Sequence, residues 1–162
     1  MRILAIALIL TASAARAETT LCTPAENAIF SCQAGTKIIS LCGSKDLSES
    51  AGTLFYRAGK PGALELSYPD AGADPRKAFT RAVIAPGNGD FVRFSRAGIT
   101  YSVYSARNGS GKPFLDGILV TQGKKVLADL KCKGVGLGQN GWTAIYASGL
   151  PDDPANNLYP DD

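Results

Sequence analysis

The chain has 162 residues, a formal net charge of +3 and no histidine. The missing histidine excludes Ser-His-Asp and Cys-His catalytic sets and any His-ligated metal. The small net charge is far from a nucleic-acid footprint, and the length fits one ordinary domain with a core of its own.

The N-terminus reads as a secretory signal peptide over residues 1–17. Arg2 supplies the positive start, Ile3 to Leu10 is an unbroken apolar run, and Ala15-Arg16-Ala17 fits a small-x-small cleavage site. The run is shorter than the ~20 residues a bilayer crossing needs. The mature chain is therefore expected to begin at Glu18, cleaved after Ala17, in the periplasm or outside the cell, without a membrane span. A lipid anchor on Cys22 is disfavoured because Leu21 precedes it where a small residue is expected. Losing Arg2 and Arg16 lowers the charge from +3 to +1, and setting aside Asp152, Asp153, Asp161 and Asp162 leaves +5 over residues 18–149.

In an oxidising compartment Cys22, Cys32, Cys42 and Cys132 are most simply two disulfides. They contain no Cys-x-x-Cys pair for a metal or a redox centre. Ala28–Gln33 and Lys37–Gly43 read as a hairpin around Ala34-Gly35-Thr36. Centred there, Cys32 faces Ile38 and Cys42 faces Ala28, which puts the two cysteines beyond the ~7 Å Cα limit of a bridge. Of the two remaining connectivities, Cys22–Cys42 with Cys32–Cys132 is preferred.

Thr53–Ala58 and Ala63–Tyr68 flank the Gly59-Lys60-Pro61-Gly62 turn, and Ala71–Arg76 reads as a loop. Phe79–Ala85 and Asp90–Arg96 flank Pro86-Gly87-Asn88-Gly89, whose Asn-Gly is a hairpin signal. Ile99–Ala106 alternates cleanly as a half-buried strand. After the Asn108–Pro113 loop, Phe114–Thr121 and Lys125–Lys133 flank Gln122-Gly123-Lys124. In the last strand Val126, Ala128, Leu130 and Cys132 share one face, opposite Lys125, Leu127, Asp129, Lys131 and Lys133.

About nine short strands without an intervening amphipathic helix predict an all-β domain over 18–150, an antiparallel β-sandwich or flattened barrel stapled by disulfides. Residues 139–149 suit a short C-terminal helix with Trp142 and Ile145 packed over one end. The acidic tail, 151–162, is expected to be disordered.

Phe30-Ser31-Cys32, Gly35, Lys37, Ser40-Leu41-Cys42, Tyr56-Arg57, Glu65-Leu66, Tyr68-Pro69, Tyr101, Tyr104 and Leu130–Cys132 resemble a family of small exported, periplasmic proteobacterial proteins rich in β-structure. The resemblance covers most of the mature chain. It implies compartment and fold, and no activity. In architecture the chain is also similar to periplasmic lysozyme inhibitors, but the Ser-Gly-x-Tyr of some of them is absent, and fold alone carries no function.

Gly136, Gly138 and Gly141 match G-x-G-x-x-G, yet too little chain follows for the βαβ unit that a dinucleotide site requires. No cofactor and no metal are expected. Glu65, Asp70, Asp74, Asp90 and Asp116 are the acidic candidates for glycoside hydrolysis, but most sit at turns, where Asp serves the backbone. Glu65 is expected to pair with Arg57 across its hairpin as a surface ion pair. Arg93, Arg96, Arg107 and Lys112 with Tyr101 and Tyr104 form a basic and aromatic set suited to a protein or an anionic glycan. The candidate contact residues are Tyr104, Arg107, Ser110 and Lys112, with the Asn108–Lys112 loop as a protruding element. The expectation is an exported module that binds a periplasmic or cell-wall protein, in its sharpest form an inhibitor of a hydrolase such as lysozyme. Its rivals are a carboxylate-dependent glycan hydrolase and an envelope structural component.

Overall fold

The computed structural model describes residues 20–84, 89–107, 114–134, 136 and 141–160. Its strands are β1 (Glu26–Ala34), β2 (Lys37–Ser44), β3 (Leu54–Lys60), β4 (Ala63–Tyr68), β5 (Thr80–Val83), β6 (Gly89–Arg96), β7 (Ile99–Arg107), β8 (Phe114–Gln122) and β9 (Lys125–Lys133). Two short helices, α1 (Pro75–Ala78) and α2 (Gly141–Ala147), complete the described elements. α1 begins within the last two residues of the Ala71–Arg76 stretch expected to be a loop. Asp74 accepts a hydrogen bond from the Arg76 amide at its start, with Pro75 at the first helical positions, where a missing N–H costs nothing.

Every neighbouring pair is antiparallel, in the order β4-β3-β2-β1-β9-β8-β7-β6-β5. The sheet is two meanders, β1–β4 and β5–β9; among the described residues they are joined by a ladder of Gln33 and Ala34 with Lys133 and Cys132, extended by the Ser31 amide, which donates to the Gly136 carbonyl at 2.6 Å. It curls on itself so that Phe94 of β6 stacks on Tyr68 of β4 at 4.4 Å and lies 4.9 Å from Tyr56 of β3. Among the described residues β4 and β5 share no ladder, so this seam is closed by aromatic rings instead of hydrogen bonds. Each such ring pair is worth ~0.5–1.5 kcal/mol beyond its buried area. Phe30, Leu41, Leu54, Phe79, Val92 and Ile118 fill the space between the two halves, and Ile145 of α2 packs over it.

The two ends of the described chain cover the two outer faces. Across β1–β4 the register aligns Ser31, Ser40, Arg57 and Ser67 in one outward row. Residues 20–26 lie over that row, fixed by the Cys22–Cys42 disulfide and by the Leu21 amide, which donates to Ser40 Oγ at 3.0 Å. Arg57 donates to both oxygens of Glu26, at 2.6 and 2.8 Å, and to the Leu21 carbonyl. On the other half, Ala82, Phe91, Tyr104 and Leu119 form a second small core closed by Leu158.

The expected free tail is therefore anchored as far as Tyr159, whose hydroxyl donates to Asp129. Arg93 binds Asp153 at 2.7 Å and donates to the carbonyls of Asn157 and Leu158, so the acidic residues include an anchor. The second disulfide joins Cys32 to Cys132.

Three local expectations change. The first turn is one residue tighter: Ala34 pairs with Lys37 and Cys32 with Ile39, and a bulge at Ile29 restores Cys42 opposite Ala28. Glu65 pairs with Lys37 of β2, not with Arg57, because a register shift next to Gly59 displaces it and Glu26 occupies the guanidinium. In β9, Val126 pairs with Thr121 and Ala128 with Val120. Adjacent residues of β8 face opposite ways, so Val126 leaves the apolar set and Leu127 is bulged.

Candidate binding edge and cleft

The stagger of the two meanders creates the site. β1 ends at Ala34, opposite Cys132, and the chain then turns back into β2. β9 continues past that turn. From Lys125 to Lys131 it pairs with β8 alone, and among the described residues no strand lies along its other side. Such a row of unpaired N–H and C=O groups is a template for another strand.

The other edges differ. β5 is covered by the C-terminal segment: the Arg81 amide donates to Pro151 O at 3.0 Å, and the Asp153 amide donates to Arg81 O at 2.7 Å. β4 is a short edge beside the aromatic seam.

The β9 edge is also apolar. Val126, Leu127 and Leu130 are 45%, 43% and 38% exposed. Beside it a cleft of about 390 Å³ opens between the two halves. Ile39 and Ala58 line one wall, Tyr101 and Val120 the other, and Ala128 and Leu130 border it from β9. The Lys37–Glu65 ion pair also lines the cleft. Tyr56 reaches it from β3, and burial, with Tyr101 nearby, pushes its phenol far above the ordinary value. The cleft can seat apolar side chains, with polar groups at few points.

Charge flanks the edge at both ends. Among the described residues Lys124, Lys125 and Lys133 make no ion pair. Lys131 is committed to Asp129 at 2.9 Å and to the Tyr104 hydroxyl at 2.6 Å. Asp129, the single acid of the strand, also accepts from the hydroxyls of Tyr104 and Tyr159, both at 2.8 Å. Burial works to raise its carboxyl, but hydrogen bonds from Lys131, Tyr159 and Tyr104 outweigh it and hold the group below its ordinary range.

Of the contact residues expected from sequence, Tyr104 lies away from this edge. Tyr104 is 1% exposed and belongs to the second core. Its ring crosses Gly117, where a Cβ would come within 2.5 Å of the hydroxyl. Burial first, then the Asp129 hydrogen bond, raises its phenol. Arg107 ends β7, paired with Phe114. Ser110 and Lys112 lie outside the described residues, as does the whole Asn108–Lys112 loop. Arg93 anchors the C-terminal segment and stacks on Phe91, so the basic and aromatic set is not gathered on one free surface.

Four of the five carboxylate candidates have structural surroundings, and Asp70 is exposed. Asp74 caps α1, Glu65 holds Lys37, and Asp90 accepts from the Tyr146 hydroxyl. Asp116 is buried, with one oxygen on the Gly136 amide and the other without a protein partner. Gly136 itself is a packing site: a Cβ there would lie 2.7 Å from the Phe30 ring. Among the described residues no cluster could hold a metal ion, and no helix is long and apolar enough to cross a membrane.

No family model, no curated protein and no solved structure matches this chain. The open edge was missed in the sequence because it follows from where the meanders meet. The one local signal was the run of exposed Val126 and Leu127 among lysines.

Proposed function

We propose that this is an exported protein-binding module, and that it holds its partner by the β9 edge and the adjoining cleft. Two disulfides fit an oxidising compartment. The observation that carries the reading is the unpaired Lys125–Lys131 edge beside an apolar cleft. Strand addition uses this combination, with main-chain hydrogen bonds for affinity and pockets for alternate side chains.

Magnitudes say that both parts are needed. A main-chain hydrogen bond is worth ~0.5–1.5 kcal/mol net, whereas association costs at least ~4 kcal/mol. A few edge hydrogen bonds therefore only offset association, and burial of Val126, Leu127 and Leu130 must supply the rest. The narrower reading, inhibition of a cell-wall hydrolase, is a special case in which the hydrolase presents the strand.

The test is affinity capture on immobilised, oxidised mature protein from a periplasmic extract supplemented with lysozymes of several classes. Leu130→Glu alters the cleft, while Leu64→Glu places the same charge on exposed β4. A partner retained by the parent and by Leu64→Glu, and lost with Leu130→Glu at unchanged melting temperature, supports this reading. Equal retention by all three contradicts it.

A further inference from the structure

We infer that the β9 edge takes an acidic, extended polypeptide segment with apolar residues at alternate positions, and does not take a second copy of this chain. This inference rests on the protein-binding reading above. Three observations carry it.

The edge is cationic at both ends. Lys124 and Lys125 open it and Lys133 lies just past its far end, in the ladder with Gln33, none with an ion-pair partner among the described residues. The acid within it, Asp129, is already filled by Lys131, Tyr104 and Tyr159. An incoming strand therefore meets unneutralised positive charge, which favours carboxylates and penalises lysine or arginine.

Self-association is opposed by the same charges. A two-fold antiparallel pairing centred on Ala128 sets Lys125 opposite Lys131 of the second copy, twice over. Like charges directly opposite destabilise a ladder. Moving the centre to Leu127 brings Lys125 opposite Asp129, whose carboxylate has three donors already. Lysines on an edge are a recognised guard against self-pairing.

The side-chain pattern follows from the cleft. Ala128 and Leu130 face it from one side of β9, while Asp129 and Lys131 lie on the other. A strand added beside them presents every second residue to the cleft and the alternate ones to the lysine-flanked face.

The probes are labelled heptapeptides added to the oxidised full-length mature protein: alternating Glu and Val, alternating Lys and Val, and the first composition with all its Val residues at one end. Anisotropy gives affinity, and amide exchange of residues 125–131 reports the place. The alternating acidic peptide is expected to bind about tenfold tighter than either control, to protect β9 amides, and to weaken about tenfold with Lys124→Glu/Lys125→Glu. The free protein is expected to sediment as a monomer. Equal binding of the lysine peptide, equal binding of the segregated peptide, no binding of any peptide, or a dimer that protects β9 would each overturn the inference. A partner captured through Leu130 but lacking an acidic extended segment would overturn it and leave the protein-binding reading standing.

Discussion

Cys32 is bonded to Cys132, and Cys132 pairs with Ala34 in the two-residue ladder that joins the meanders. The ladder between the halves of the sheet is therefore also bridged covalently. The bridge closes a sequence separation of 100, against 20 for Cys22–Cys42.

Loop entropy makes the longer bridge the stronger staple, ~4.7 kcal/mol against about 3 kcal/mol in the chain-entropy description. Cys32→Ala/Cys132→Ala is expected to lower unfolding free energy in urea by more than Cys22→Ala/Cys42→Ala does. Equal losses would show that loop length does not rank the two bridges.

Glu26 and Arg57 fasten the N-terminal segment from a largely buried position. Burial acts to raise the Glu26 carboxyl, and hydrogen bonds from Arg57 and Thr23 outweigh it, leaving the group below its ordinary 4.5. A lowered folded value means a contribution present in full above 4.5 and lost as pH falls through the folded value. Glu26→Gln should cost about 1.5–3 kcal/mol at pH 7, with the gap to the parent closing in acid. Urea titrations at neutral and acid pH measure both.

Tyr159 provides the opposite pH signature. Burial, with the Asp129 hydrogen bond added, raises its phenol from 10.0 to about 12. Its contribution is present below pH 10.0 and lost as pH rises through about 12. Tyr159→Phe should leave the alkaline limb of the stability profile shallower than that of the parent. An unchanged limb would mean that the C-terminal segment is not held at Asp129.

Leu158 closes the second core over Phe91 and Tyr104. Leu158→Ala is expected to destabilise the domain by about 2 kcal/mol, the low end for a buried leucine. Thermal or urea unfolding checks this, and no loss at all would return the tail to solvent.

Ala97 carries φ 50 and precedes Gly98 at φ 76 in the β6–β7 turn. A left-handed alanine costs about 1 kcal/mol, and two-residue turns of this kind favour Asn-Gly. Ala97→Asn should therefore stabilise the protein by about 0.5–1 kcal/mol, read as a rise in the urea midpoint.

Strands and turns were legible because their signals are local: Gly62, Gly98 and Gly123 sit at turns between alternating runs. The cysteine pairing was approachable because hairpin register alone separates Cys32 from Cys42. The partner of Arg57 was not, since the strand expected from sequence begins at Ala28 and leaves out Glu26, which the bulged start of β1 brings to the guanidinium. The tail misled for a similar reason: Asp153 and Leu158 look solvated in sequence, but Arg93 and Phe91 wait for them some sixty residues earlier. Tyr104 read as a contact residue because nothing local reveals that Gly117 leaves room for its ring.

The most direct test is amide exchange of β9 in the oxidised protein, alone and with a captured partner or the alternating acidic peptide. The Lys125–Lys131 amides on the side away from β8 are expected to exchange quickly in the free protein and to become protected on binding. Slow exchange in the free protein, or binding that leaves those amides unprotected, would contradict this expectation.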